Sequence, residues 1–228
     1  MLLTLPPPLT KVKFDSMHTT DDTSQDWTDL GLRRTPTQQR SRQKVVQAIA
    51  AAEDLVVREG VDVITLPRVA AAAGVSVGAL YQYLPDREAI LAAIVSRYHD
   101  RLERLLDDAI ERLRADPRSE DPVGSVLRAV AAVYQDEQSA RSLGTVAISA
   151  DADAARRRHK RAMADRVHTL LREAGVLDGV DDERGAAVAR VAFASADAVL
   201  HDAFAAPEPE RAVLLTELER ALRASLRV

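Results

Sequence analysis

The 228-residue sequence is 46% hydrophobic and only 4% aromatic, and its 31 Lys and Arg against 35 Asp and Glu give a formal net charge of −4. That supplies apolar material for one large or two modest cores. The absence of cysteine excludes a disulfide framework, a thiolate metal site and a thiol nucleophile, and fits a reducing cytoplasm. No apolar run approaches the roughly 20 residues needed to span a bilayer, so no membrane contact is expected.

Residues 1–35 carry Pro6–Pro8, scattered Thr and Asp, and no periodic apolar face, and read as a disordered tail. MLLTLPPPL lacks the basic start and apolar core of a secretory signal. The lack of pattern before Met17 leaves Met1 and Met17 open as translation starts. A first helix is predicted from Thr37 to Glu59, with Val45, Ile49, Ala52 and Val56 at spacings of four, three and four and Gly60 at its end.

The stretch TLPRVAAAAGVSVGALYQYL, Thr65 to Leu84, reads as a helix-turn-helix. The Thr65 hydroxyl can cap a short helix whose apolar face holds Leu66, Val69, Ala70 and Ala73. Gly74 stands where a sharp turn needs a left-handed conformation. Ser76 can cap a second short helix, with Leu80 pointing into the angle between the two and Ala70 at the crossing. A fourth helix opens at Asp86 and should run to about Ala115, ahead of Asp116-Pro117. Its stripe is Leu91, Ile94, Tyr98, Leu102, Leu105, Ala109 and Leu113. Pro122 starts a fifth, apolar on nearly all sides and so central. A shorter piece near 140–149 is weakened by Gly144, a long helix spans Asp151 to Ala174 before Gly175, and Asp182–Ala205 with Pro209–Arg227 forms a hairpin around Pro207. The hairpin combines small residues (Ala186, Ala189, Ala192, Ala196) with Leu214, Leu218, Leu222 and Leu226. It cannot bury both faces alone, and is expected to pair with its own copy across a two-fold axis.

The extended pattern of Gly60, Thr65, Ala70, Gly74, Val75, Leu80, Tyr81 and Tyr83, followed by Pro85-Asp86-Arg87-Glu88, resembles the DNA-binding domain of TetR-type (tetracycline-repressor-like) transcriptional regulators over about residues 40–100. Leu84 stands where that family more often has Phe, and Arg87 where it more often has Lys. The expected fold is all-α, with about nine helices: a tail (1–35), a three-helix helix-turn-helix domain (36–88) and a helical ligand-binding and dimerisation domain (89–228). The resemblance also implies dimerisation through the last two helices and a small-molecule effector cavity among the later ones.

Charge is divided unevenly. From Arg33 to Arg87 eight cations face five anions, a local +3, whereas residues 1–32 carry −3 and the remainder −4. Phosphate attraction depends on charge within about 10 Å at ordinary salt, so a basic head on an acidic body is a coherent DNA binder. Ser76, Val77, Gly78, Ala79 and Gln82 are the candidates to face bases. Gln82 alone among them has an amide for a paired contact to adenine, and Val77 and Ala79 offer apolar contact to a thymine methyl. Tyr81 and Tyr83 are read as phosphate-gripping phenols on the strength of the resemblance, which also matches Thr65 and Arg87 to backbone contacts. Arg68 and Lys44 are further phosphate partners, with a solvated charge as the alternative for each. Arg33, Arg34 and Arg40 could reach DNA as a basic arm ahead of the first helix, with a solvated tail as the first reading for Arg33 and Arg34.

Candidate effector-lining residues are Leu102, Leu106, Val130, Tyr134, Val146 and Phe193, each explained equally by a plain hydrophobic core. The run Arg156-Arg157-Arg158-His159-Lys160-Arg161 spreads round a helix and reads first as a solvated face, with an anionic ligand or a second nucleic-acid contact as alternatives. The five histidines show no metal spacing, and no phosphate loop, catalytic triad or nucleotide fingerprint appears, so neither a cofactor nor a catalytic site is implied. The leading function is a ligand-responsive homodimeric regulator, most simply a repressor, of a palindromic DNA operator. A helical enzyme or carrier, or a DNA-binding head whose body senses a protein partner, are the alternatives.

Overall fold

A computed structural model describes residues 32–116, 121–136 and 150–226; among these there are eight α-helices and no strand. They are α1 (Gln39–Glu59), α2 (Leu66–Ala72), α3 (Val77–Tyr81), α4 (Arg87–Ala115), α5 (Pro122–Asp136), α6 (Ala150–Glu173), α7 (Asp182–Ala205) and α8 (Glu210–Ser225), with a single 3-10 turn, Val61–Val63, after α1. The expected piece near 140–149 and most of the expected tail lie outside the described residues.

Two cores divide the molecule. The first joins α1 to α3 and the start of α4 through Val45, Ile49, Val69, Leu80, Leu84 and Ile94. Leu84 is fully buried there, so the branched aliphatic fills the site without an aromatic ring. Each such side chain contributes about 1.5–3 kcal/mol by leaving water. The second core gathers α4 to α8 around Leu106, Leu171, Leu177, Leu200 and Leu218. Helix α4 belongs to both: Ile90, Leu91 and Ile94 serve the first, and Tyr98, Leu102 and Leu106 the second.

The α4 stripe differs from expectation in its lower half. Leu106 and Ile110 are buried, whereas Leu105 and Ala109 are only half-buried. From Ile94 the buried positions advance in steps of four through Tyr98, Leu102, Leu106 and Ile110. Each such step turns the buried face by about 40° around a 3.6-residue helix. The turn follows the change of partners, from α1 at the start of the helix to α6 and α5 further on. In α8 it is Leu215, not Leu214, that joins Leu218, Leu222 and Leu226 in the core.

Residues 32–35, read from sequence as the end of a structureless tail, are docked. Leu32 packs against the first core, Pro36 is buried, and the Arg33 backbone N–H donates to the Tyr83 carbonyl at 3.0 Å. Arg42 Nε donates to the Pro36 carbonyl at 3.2 Å, which fixes the entry into α1.

In the body, α6 lies between α4 and α7. Gly185 permits the close α6–α7 approach, since a methyl there would stand 2.9 Å from His168 Nε2. Asp121 joins α5 to α8: one carboxylate oxygen accepts the Gly124 N–H at 2.9 Å and the other accepts from Arg223 at 2.7 Å. Burial would raise the Asp121 carboxyl, but hydrogen bonds from Arg223 and Gly124, with the charges of Arg223 and Arg128, hold it below its ordinary value.

Candidate nucleic-acid interface and interior cavity

The two short helices meet as their sequence requires. Ala70 at the crossing is buried, Leu80 holds α3 against α2, and Gly74 makes the turn at φ 66°. Ser76 Oγ accepts from the Ala79 amide at 3.3 Å and so caps α3. Asp86 caps α4 in the same way, accepting from the Ala89 amide at 2.8 Å. Thr65 departs from expectation: it occupies the cap position of α2, yet its hydroxyl caps nothing. Pro67, at the second helical position, has no amide hydrogen to give, which removes one of the two usual recipients. The exposed Thr65 hydroxyl makes no cap bond and is available to an outside acceptor.

The face of α3 opposite Leu80 is open. Ser76, Val77, Gly78, Tyr81 and Gln82 are exposed, with Ala79 half-buried beside them. Val77 is 43% and Tyr81 49% accessible, large apolar surfaces that serve no core. Gln82 closes the C-terminal end of the helix, so it stands at the far edge of this face from Ser76. Tyr83 is half-buried against the first core, unlike Tyr81.

The cations differ in availability. Lys44 is exposed near the start of α1 and has no ion-pair partner among the described residues. Arg68 is exposed but paired with Glu59. Arg87 donates to the Val61 carbonyl at 3.1 Å and lies 3.8 Å from Asp62, so it ties α4 to the 3-10 turn. Arg33, assigned by sequence to the tail, lies with its guanidinium 5.6 Å from the centre of the Tyr81 ring. Nothing in the periodicity of residues 30–36 announces that placement, which rests on the backbone bond to Tyr83.

A cavity of about 90 Å³ lies within the second core. Of the residues expected to line an effector site, Leu102, Leu106, Val130, Tyr134 and Phe193 do line it; Val146 lies outside the described residues. Sequence reasoning missed two polar wall residues, His159 and Asp197. His159 is submerged in the basic run, although its spacing of four to Met163 and eight to Val167 marks the inward face of α6. The run itself divides: Arg157, Arg158 and Arg161 are exposed, His159 is buried, Lys160 Nζ donates to Asp197 at 2.8 Å, and Arg156 lies 3.6 Å from Asp153.

His159 binds α6 to α4. Its Nδ1 lies 2.8 Å from Glu103 Oε1, and its ring stacks on His99 at 3.8 Å and 5°. Burial would raise the Glu103 carboxyl, but the hydrogen bond and charge of His159 and the charge of Arg166 hold it low. His99 is driven to about 2, by burial first and then by the charges of His159, Arg156 and Lys160. Among the described residues no group of His, Asp and Glu could hold a metal ion, and no helix is long and apolar enough to cross a membrane.

Residues 48–94 match the family model for bacterial regulatory proteins of the tetR family. The fold is shared with a Mesorhizobium loti protein assigned to the TetR-family transcriptional regulators, with 16% identity over 83% of this chain and 98% of that one and a TM-score of 0.67. SmeT, the repressor of the Stenotrophomonas maltophilia multidrug efflux pump SmeDEF, aligns with 25% identity over 79% of this chain and 87% of its own, TM-score 0.56. A SmeT–triclosan complex aligns with 24% identity over 80% and 90%, TM-score 0.58. No curated protein matches the sequence.

Proposed function

Since the chain belongs to the tetR family of bacterial regulatory proteins, which its residues 48–94 match, we propose that it is a cytoplasmic, homodimeric repressor that binds a palindromic DNA operator and leaves it when a small molecule occupies the cavity. The observation that carries this reading is the exposed α3 face, where Val77 and Tyr81 lie open although the fold has no need of them. A short capped helix of this kind fits a major groove. In this reading Val77, Ala79 and Gln82 meet bases, while Tyr81, Tyr83, Thr65, Lys44, Arg68 and Arg87 grip phosphates. Arg33, held against Tyr81, adds a guanidinium to that grip.

Dimerisation is supported by unpartnered apolar surface on the last two helices, where Val191 is 66% and Val213 59% exposed. Effector release is supported by the cavity's size and position. Sites for drug-sized ligands measure roughly 300–1,000 Å³, so an effector must push the walls of the 90 Å³ cavity apart. Leu102 and Leu106 in that wall belong to α4, whose first turns belong to the DNA-binding head. Ligand and DNA would then favour different arrangements of one equilibrium. The triclosan complex of SmeT offers a precedent for a small ligand on a repressor of this fold.

The test is binding to fragments selected from the source genome, measured across a salt series. Affinity should fall steeply with salt. Tyr81→Phe should weaken binding to every selected sequence alike, by about tenfold for a lost bond to a charged phosphate. Gln82→Ala should change which single-base operator variants are preferred. Salt-independent binding, or an unchanged preference in Gln82→Ala, would remove the assigned roles.

A further inference from the structure

The cavity wall contains three polar residues among those described, Tyr134, His159 and Asp197; every other wall residue is apolar. The single Tyr134 hydroxyl proton is donated to Asp197 Oδ1 at 3.1 Å. Asp197 as a carboxylate only accepts, and its other oxygen already takes a proton from Lys160 at 2.8 Å. His159 faces the Glu103 carboxylate with Nδ1 at 2.8 Å, which places a hydrogen on that nitrogen and commits it to Glu103. Among the described wall residues, the Tyr134 hydroxyl proton and the His159 Nδ1 proton are both committed to carboxylates, and Asp197 brings a negative charge.

We infer that, if the cavity is the effector site proposed above, its effector is an aliphatic molecule whose polar end donates hydrogen bonds, best of all a protonated alkylamine, and that alkyl carboxylates are rejected. The aliphatic character follows from the wall, where leucine and valine predominate. The preference for an ammonium follows from Asp197. Its present counter-ion, Lys160, is half exposed and can swing into water at little cost, leaving the carboxylate to pair with an incoming cation. A carboxylate ligand would instead set a second negative charge against Asp197, and like charges brought together in a buried wall are costly.

The experiment compares octylamine, octan-1-ol and octanoate on the full chain by thermal shift and titration calorimetry at neutral pH. Octylamine should bind tightest and octan-1-ol next, with octanoate weakest. At a concentration about 100 times its Kd, the amine should raise Tm by roughly 5–10 °C. Asp197→Asn should weaken amine binding by about tenfold to a hundredfold and admit octanoate, because the amide brings a donor. Lys160→Met, a change at an exposed side chain, should tighten amine binding severalfold by removing the competing cation. Octanoate binding wild type as well as octylamine would overturn the donor-head inference alone. A chain that still binds its DNA fragments but is stabilised by none of the three probes would overturn the inference together with the cavity as effector site.

Discussion

His99 offers a test of the seam between α4 and α6 in which the expected size follows from the structure. Its ring is stacked on His159 at 3.8 Å and its pKa is driven to about 2, whereas the unfolded chain should titrate at the ordinary value of 6.5. Below the unfolded value the denatured chain therefore binds a proton that the native state refuses. Stability from this group is complete above that value and is lost progressively as the pH falls toward the folded one. Between about pH 7.5 and about pH 5.5 the loss is about 1.4 kcal/mol, and any folded value below about 4.5 gives the same result. His99→Phe keeps a flat ring against His159 but cannot take up the proton. Urea denaturation of wild type and variant at both pH values isolates the effect, since all other titrations cancel in the difference. The wild-type midpoint should fall by about 0.5 M more than the variant's, taking a slope near 3 kcal/mol per M. Equal losses in the two proteins would refute the claim that the native seam excludes that proton.

Ser76→Ala should cost about 1 kcal/mol of stability by freeing the Ala79 amide, read in thermal unfolding. It should also weaken binding to all DNA sequences as α3 frays. Arg33→Ala should lower the slope of log affinity against log salt by about 0.9, with operator preference unchanged; an unaltered slope would mean that Arg33 only packs on Tyr81. Val191→Asp with Val213→Asp should convert a dimer to a monomer in sedimentation and abolish tight operator binding. A wild-type dimer that survives both charges would move the interface elsewhere.

The features that sequence discloses best are those whose cause is local. Gly74 at positive φ, Ser76 and Asp86 as caps, and Leu80 in the helical angle depend on neighbours a few residues away. Thr65 occupies the cap position that its sequence announces, yet its hydroxyl makes no cap bond. The α4 register departs from expectation because periodicity cannot show where a helix passes from one set of partners to another. The docking of Leu32 and Arg33 and the pairing of Tyr134 with Asp197, 63 positions apart, depend on tertiary contacts that leave no repeat in the sequence. His159 shows a middle case, in which correct spacing is masked by the charged residues on either side.

The unbroken passage of α4 through both cores has a geometric corollary. From Leu113 back to Arg87 the rod measures about 39 Å at 1.5 Å per residue. A tilt of about 5° at its distal end sweeps the opposite end through an arc of about 3.4 Å, the rise of one step along a DNA strand. In the proposed two-fold pair both ends would move in opposite senses and the mismatch would double. In the proposed dimer, a wall displacement that tilts α4 by so little would thus put the two α3 helices out of step with the duplex.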